Sequence, residues 1–299
     1  MTASRPATRT ARVEAQGKIN LFLRILSREE SGYHQLETLF QRIALADTVR
    51  VSTGVSGRAL DVSGADVGPV EKNLAWRAAL AFAGAAGGPA HFEIEIKKRI
   101  PVGGGLGGGS ADAAAVLRAL NALAEKPLDE TSLAAIAFSL GADVPYLLST
   151  HALALGSGRG ERIVPLASLP PRDVLLAMPP FGVSSTEAFG WFAAKRASRH
   201  SATRATLPAG GKLEWRALAA LAANDLDGVV VAHHPEVGLL RDELKSRGAM
   251  IAQMSGSGST VFGVFESGKV RGSHAAIARM GARAIQTATV EGVASVELV

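Results

Sequence analysis

Apolar and polar residues alternate loosely over "ARVEAQGKINLFLRIL" (11–26), the two-residue period of a strand with one buried face. "DTVRVS" (47–52) is short and β-branched, and "HFEIEIKK" (91–98) sets Phe92, Ile94 and Ile96 against Glu93, Glu95 and Lys97. A strand with one wet face suits an antiparallel or mixed sheet better than a parallel sheet buried on both sides. Between these strands, "EKNLAWRAALAFAGAAGG" (71–88) reads as a helix running out into glycines. Further on, Val116, Leu117, Leu120, Leu123 and Ala124 recur at helical spacing, and another helix over 131–140 stops at Gly141. Strand and turn residues with several prolines fill 151–185, including the strand "DVLLAMP" (173–179). Helices follow, then a strand, a tight turn and a strand over "AMIAQMSGSGSTVFGVF" (249–265). A boundary near residue 165 divides the chain into 1–165 and 166–299, with 1–10 a frayed tail and 198–212 a loop.

Composition narrows the picture. The chain has 299 residues, 47% hydrophobic and 20% charged, enough for two domains with ordinary cores. It has no cysteine, which excludes disulfides and thiolate metal sites and fits a reducing cytoplasm. The opening "MTASRPATRTAR" lacks the apolar stretch of a secretory signal. No window approaches the roughly 18 apolar residues of a membrane span; "LAAIAFSLGADVPYLL" comes nearest, and Gly141, Asp143 and Pro145 break it. The net charge is +5, but the basic clusters "KKR" (97–99) and "KRASRH" (195–200) are short and read as solvated surface. That balance argues for anionic small-molecule substrates and against nucleic acid.

The chemistry concentrates in "PVGGGLGGGSADAAAVLRALN" (101–121), where six glycines occupy 103–109 immediately before a helix. Bare backbone at a helix entrance lets N–H groups converge on an anion, and the helix dipole adds favourable partial charge. Ser110 and Asp112 stand where capping residues stand. A Walker loop is excluded: Gly104 and Gly109 have its spacing, but Ser110 follows directly and the lysine is missing. The dinucleotide fingerprint fits Gly103, Gly105 and Gly108, yet glycines this dense fit almost any spacing. The half-polar strand before them does not belong to that fold either.

"PVGGGLGGGSADAA" resembles a third loop, that of the GHMP kinases (galactokinase, homoserine kinase, mevalonate kinase and phosphomevalonate kinase). Pro101, the Gly105–Leu106–Gly107 core and Ser110 fall in register with its pattern. Other stretches resemble, in order, the bacterial branch that serves the non-mevalonate isoprenoid route. They are 17–49 ("GKINLFLRIL…"), "KNLAWRAA" (72–79), "LGADVPYLL" (140–148), "ALGSGRGERI" (154–163), "PPFGVSSTEAF" (179–189) and "MSGSGSTVFGVF" (254–265). The resemblance implies an α+β fold of two domains with mixed and antiparallel sheets and an active site in the interdomain cleft. It implies ATP-dependent phosphorylation of the 2-hydroxyl of 4-diphosphocytidyl-2-C-methylerythritol.

By that resemblance, Pro101, Val102, Gly103, Gly104, Gly105, Leu106, Gly107, Gly108, Gly109, Ser110 and Ala111 wrap the ATP phosphates, while Asn73 and Leu74, with Lys98 near the loop, border the adenine. Asp143 becomes the base for the acceptor hydroxyl and Lys18 its charge partner, with Asn20 on the substrate. Tyr33 is expected to stack on the cytosine and His34 to hydrogen-bond its edge. Phe189 is favoured over Phe181 as the second aromatic, and Gly256, Ser257 and Gly258 face the substrate. Without the resemblance these residues read more plainly. Asp143 serves equally well as a cap for "VPYLL", Lys18 is a solvated strand lysine, Tyr33 a surface aromatic, Leu74 core, and "SGSGS" a hairpin turn. ATP is the expected co-substrate and magnesium its expected companion. Ser110 is available to such an ion, but no glutamate can be nominated, so no metal ligand is assigned. Another GHMP-type kinase or a non-catalytic nucleotide-binding protein would share the loop; the joint presence of Lys18 and Asp143 speaks against the latter.

Overall fold

A computed structural model describes residues 7–30, 32–85, 90–196, 213–270 and 272–299. The expected loop at 198–212, residues 1–6 of the expected tail, and Gly87 and Gly88 lie outside the described residues.

The first two strands, β1 (Arg9–Arg28) and β2 (His34–Thr53), form a long antiparallel pair. Strand β1 begins inside the expected tail, because Arg9 and Thr10 pair with Thr53 and Ser52. Then come β3 (Arg58–Ser63), α1 (Leu74–Ala85) and β4 (Phe92–Lys97), followed by α2 (Gly108–Leu123), α3 (Glu130–Leu140) and the single turn α4 (Val144–Leu148). Strands β5 (Leu153–Gly158) and β6 (Arg162–Pro165) complete this run. One edge of β2 pairs with β4 through Thr48–Thr53 and with β5 through Leu36–Gln41. All these pairs are antiparallel except β3 with β4, so the sheet is mixed, as the half-wet "HFEIEIKK" predicts.

After Pro165 the chain enters a second, wholly antiparallel sheet at β7 (Asp173–Met178). Helices α5 (Ser185–Arg196), α6 (Trp215–Leu221), α7 (Asp227–His233) and α8 (Pro235–Ser246) follow. Then come β8 (Ile251–Met254), β9 (Val261–Phe265), α9 (Ser273–Arg279) and β10 (Arg283–Ala288), giving the order β10-β7-β9-β8. The final strand, β11 (Val296–Leu298), returns to the first sheet and pairs with Ala11–Val13.

Three cores hold this together. One packs α1, α2 and α4 on the first sheet, and a second packs α7 and α8 on the second sheet. The third joins Ile19, Phe22, Leu39 and Leu106 to Val174, Leu176, Phe262 and Val264, so the two sheets share apolar contacts. Among the described residues no helix is long and apolar enough to cross a membrane.

Candidate active site

The β1–β2 ladder slips register between Gln16 and Lys18 and again between Asn20 and Phe22. Such irregularities bend a strand and re-aim its side chains. Here they bracket Lys18 and Asn20, which share a face by the period of two and are both buried. The Lys18 Nζ donates to Asn20 Oδ1 at 2.8 Å and to the Gly105 carbonyl at 3.0 Å, and lies 3.2 Å from Asp143 Oδ2. Asn20 is fixed in turn by donating to Thr38 Oγ1 at 2.7 Å, and that hydroxyl donates to the Phe22 carbonyl at 2.7 Å.

Asp143 stands between the end of α3 at Gly141 and the start of α4, and its side chain makes no capping hydrogen bond. The capping role that its position suggests is not taken, and the carboxylate is left to Lys18.

The glycine loop runs from Pro101 to the N-terminus of α2. Gly105 has φ +73°, and a Cβ there would meet the Ser255 carbonyl oxygen at 2.1 Å. Gly107 has φ +72° and packs against the Lys18 stem, where a Cβ would lie 3.1 Å from Cε. Only glycine tolerates both the left-handed backbone and this approach. Gly107, the residue before α2, has no side chain to cap it, so the first amides of a 16-residue helix face the cleft unblocked by a cap.

The turn after β8 buttresses the loop. Ser255 Oγ donates to the Gly105 carbonyl at 2.9 Å, and Asn224 Nδ2 donates to the carbonyls of Met254 and Gly256 at 2.9 and 2.8 Å. Gly256 and Gly258 line the cleft, and Ser257 Oγ lies 3.0 Å from Ser185 Oγ.

Lys98 lies behind the loop and is buried, which corrects the reading of "KKR" as solvated surface; Lys97 and Arg99 alone are exposed. The alternation of β4 continues past its end and turns position 98 inward. Its ammonium sits 2.5 Å from Asp47 Oδ2 and 2.6 Å from Asp112 Oδ2. Asp47 Oδ1 also accepts the N–H groups of Arg99 and Ile100 at 2.5 and 2.8 Å. Asp112 Oδ1 is buried with no hydrogen-bond partner. Two carboxylates thus share one cation. Burial, with the charge of Asp47 adding to it and Lys98 opposing, pushes the Asp112 carboxyl up to about 7. Burial also works against the Lys98 charge, but Asp112 and Asp47 outweigh it and raise the Lys98 pKa.

Lys18, Asp143, Lys98 and the whole run Pro101–Ser110 line one cleft of about 1540 Å³. That exceeds the roughly 300–1,000 Å³ of a single-ligand pocket. Asn73 and Leu74 line it as well. The Asn73 Oδ1 accepts the Ala75 N–H at 2.9 Å, capping α1. Ala111 is not brought in: it is 1% exposed and packs in the first core.

At the other end, Tyr33 is 59% exposed and carries the Arg159 guanidinium 3.9 Å above its ring. Arg159 is itself held by Glu29 at 2.6 Å. His34 stacks on Phe189 with ring centroids 5.1 Å apart, whereas Phe181 stacks on His234 at 4.5 Å and does not line this cleft. Asp47, Asp112, Arg159 and Ser255 fall inside quoted stretches and Asn224 in none, yet no local pattern marks the partners that make them site or support residues. Their partners lie tens to hundreds of residues away, as with the 150 positions between Gly105 and Ser255.

Comparisons with known proteins agree with this layout. The profile of the GHMP kinases N-terminal domain matches residues 73–151, and that of the GHMP kinases C-terminal region matches 207–280. The chain is 41% identical over 251 residues to a 4-diphosphocytidyl-2-C-methyl-D-erythritol kinase of Pelotomaculum thermopropionicum, covering 84% of this chain and 87% of the relative. A crystal structure of 4-(cytidine 5'-diphospho)-2C-methyl-D-erythritol kinase superimposes with TM-score 0.76 at 36% identity, covering 93% of this chain and 98% of that one. A homoserine kinase from Cytophaga hutchinsonii matches with TM-score 0.68 at 14% identity over 100% and 99%, a likeness of fold. With a shared fold and about two residues in five identical to such relatives, the chain belongs to the 4-diphosphocytidyl-2-C-methyl-D-erythritol kinase family of GHMP kinases.

Proposed function

We propose that the chain transfers the γ-phosphoryl group of ATP to the 2-hydroxyl of 4-diphosphocytidyl-2-C-methyl-D-erythritol, as a cytoplasmic enzyme. The observation that carries this reading is the Lys18–Asp143 pair, 3.2 Å apart, in the same cleft as the glycine loop. Phosphoryl transfer asks a protein mainly for positioning and charge stabilisation. The loop amides and the N-terminus of α2 receive the triphosphate, next to Lys18. The acceptor oxygen bonds to the γ-phosphorus as the bond to the β–γ bridging oxygen breaks. The hydroxyl proton passes to the Asp143 carboxylate, whose Oδ2 lies 3.2 Å from the Lys18 ammonium.

The cytidine end lies at Tyr33, His34 and Phe189. An aromatic face covers any base, and a ring nitrogen of His34 selects by the base edge. Arg159 sits on the exposed Tyr33 ring, so base and guanidinium compete for that platform or share it. Among the described residues no three histidine or carboxylate groups gather in metal-binding geometry. The magnesium that accompanies ATP would be held by the phosphates, with Ser110 the hydroxyl that the loop offers, and when bound it would neutralise phosphate charge.

Asp143→Asn tests the reading. Turnover is expected to fall by about 10²–10⁴-fold, with ATP affinity within about two-fold of wild type, since the loop keeps its own contacts. Turnover retained in a folded Asp143→Asn protein removes the base. Competition by CDP separates this substrate class from the acceptors of other GHMP kinases, which lack a cytidine.

A further inference from the structure

Arg42 is among the largest fully buried side chains, at 2% exposure, and it plays no part in the chemistry described so far. Its Nη2 donates to the carbonyls of Tyr146, Leu147 and Ser149 at 3.1, 2.8 and 2.9 Å. Its Nε donates to the His151 carbonyl at 3.2 Å, and its backbone N–H to the Ala152 carbonyl at 2.9 Å. The guanidinium also lies 5.2 Å from the centre of the Tyr146 ring, which stacks on Phe40 at 4.6 Å.

These acceptors have one thing in common. They are carbonyls at the C-terminal end of α4 and in the turn that follows, where a helix of five residues leaves most acceptors without an internal donor, although the Tyr146 carbonyl also takes the Ser149 N–H at 3.1 Å. A planar fork of donors satisfies several at once, and a cation at a helix C-terminus is favoured by the dipole. Burial pulls the Arg42 guanidinium down to about 10, so it stays charged at neutral pH.

The other end of α4 carries Asp143, held by Lys18. Lys18 and Arg42 are cross-strand partners in the β1–β2 ladder. One turn of helix is thus pinned at both ends to a single rung of the sheet: the catalytic lysine holds its leading carboxylate and the arginine holds its trailing carbonyls. We infer that Arg42 is a positioning residue for the phosphoryl transfer, which fixes α4 so that Asp143 meets Lys18 and the acceptor hydroxyl. The inference rests on the reading of Asp143 as the base.

The test is steady-state kinetics on the full chain, well below the unfolding temperature. Arg42→Met keeps bulk and removes the fork. A misplacement of the order of 1 Å at a reacting group costs about 100-fold in rate. The expected result is therefore a kcat lowered by about that factor, with KM for ATP within about two-fold. Arg42→Lys keeps the charge without the planar fork and should recover only part of kcat; it serves as the second variant if Arg42→Met does not accumulate folded. Millimolar guanidinium should partly restore kcat to Arg42→Ala, and equal sodium chloride should not.

The decisive readout is the pair with Asp143→Asn. If Arg42 acts through that carboxylate, adding Arg42→Met to Asp143→Asn should cost little further turnover. Folded Arg42→Met with wild-type kcat, a loss confined to KM, or a fully additive loss in the double variant overturns the inference while leaving the base in place. Retained turnover in Asp143→Asn alone overturns the functional reading instead.

Discussion

Consider what happens when the carboxylate that shares Lys98 is neutralised. Asp112 is 3% exposed, its Oδ2 lies 2.6 Å from the ammonium, and its Oδ1 has no partner. Asp47 is fully buried, is 2.5 Å from the same ammonium, and takes two backbone N–H groups besides. Asp47 is the better solvated by protein, so the charge deficit falls on Asp112, consistent with its carboxyl being raised from 3.8 to about 7. Such a difference corresponds to about 4 kcal/mol between the two protonation states.

The sign follows from proton counting. Between about pH 4 and pH 7 the native state holds a proton that the unfolded chain has released, so this group's contribution falls as pH rises and levels off above 7. From about pH 5.5 to pH 8 the loss is roughly 2 kcal/mol. Asp112→Asn, which cannot ionise, should lack that loss while keeping Lys98 on Asp47. Urea unfolding of both proteins at several pH values measures it. Subtracting one curve from the other removes the histidines and every other group the two proteins share. A flat difference curve would mean that Asp112 is ionised throughout, and the account of two carboxylates sharing one cation would be wrong.

Two further outcomes follow from the loop and the cytidine end. Gly105→Ala places a Cβ 2.1 Å from the Ser255 carbonyl oxygen at φ +73°. The backbone conformation costs about 1–2 kcal/mol and the overpacking about 1–3. The melting temperature should drop and ATP should bind more weakly; an unchanged melting temperature refutes the close approach. Phe189→Ala removes the ring stacked on His34 and should raise KM for the cytidylyl substrate about ten-fold or more, as stacking is worth roughly 1–3 kcal/mol per base. Its KM for ATP should not move, and equal rises for both substrates would mean that Phe189 serves the cleft as a whole.

The parts of this molecule legible in the sequence are those whose cause is local. Alternation over 92–96 gives the half-wet strand, apolar spacing gives α2, and glycine density gives the bare loop at its entrance. Lys98 shows where local reading stops. The alternation that turns Phe92, Ile94 and Ile96 inward also turns in position 98, but the basic run around it suggests solvent, and its partners at 47 and 112 are remote. Lys18 owes its direction to register slips in the β1–β2 ladder that no residue pattern announces. Arg42 looks like any strand arginine until the turn after α4 folds over it. The resemblance to a kinase family supplied the pairing of Lys18 with Asp143 that periodicity could not.

The return of β11 to the first sheet bears on how the protein is made. Residues 296–298 cover the outer edge of β1 at Ala11–Val13, and the Val299 N–H reaches the Thr10 carbonyl at 2.9 Å. During synthesis on the ribosome, this edge of β1 therefore waits for a strand that lies beyond the whole second sheet in the chain. Until β11 has cleared the exit tunnel, β1 presents bare amides and carbonyls at Ala11–Val13 to any extended neighbour.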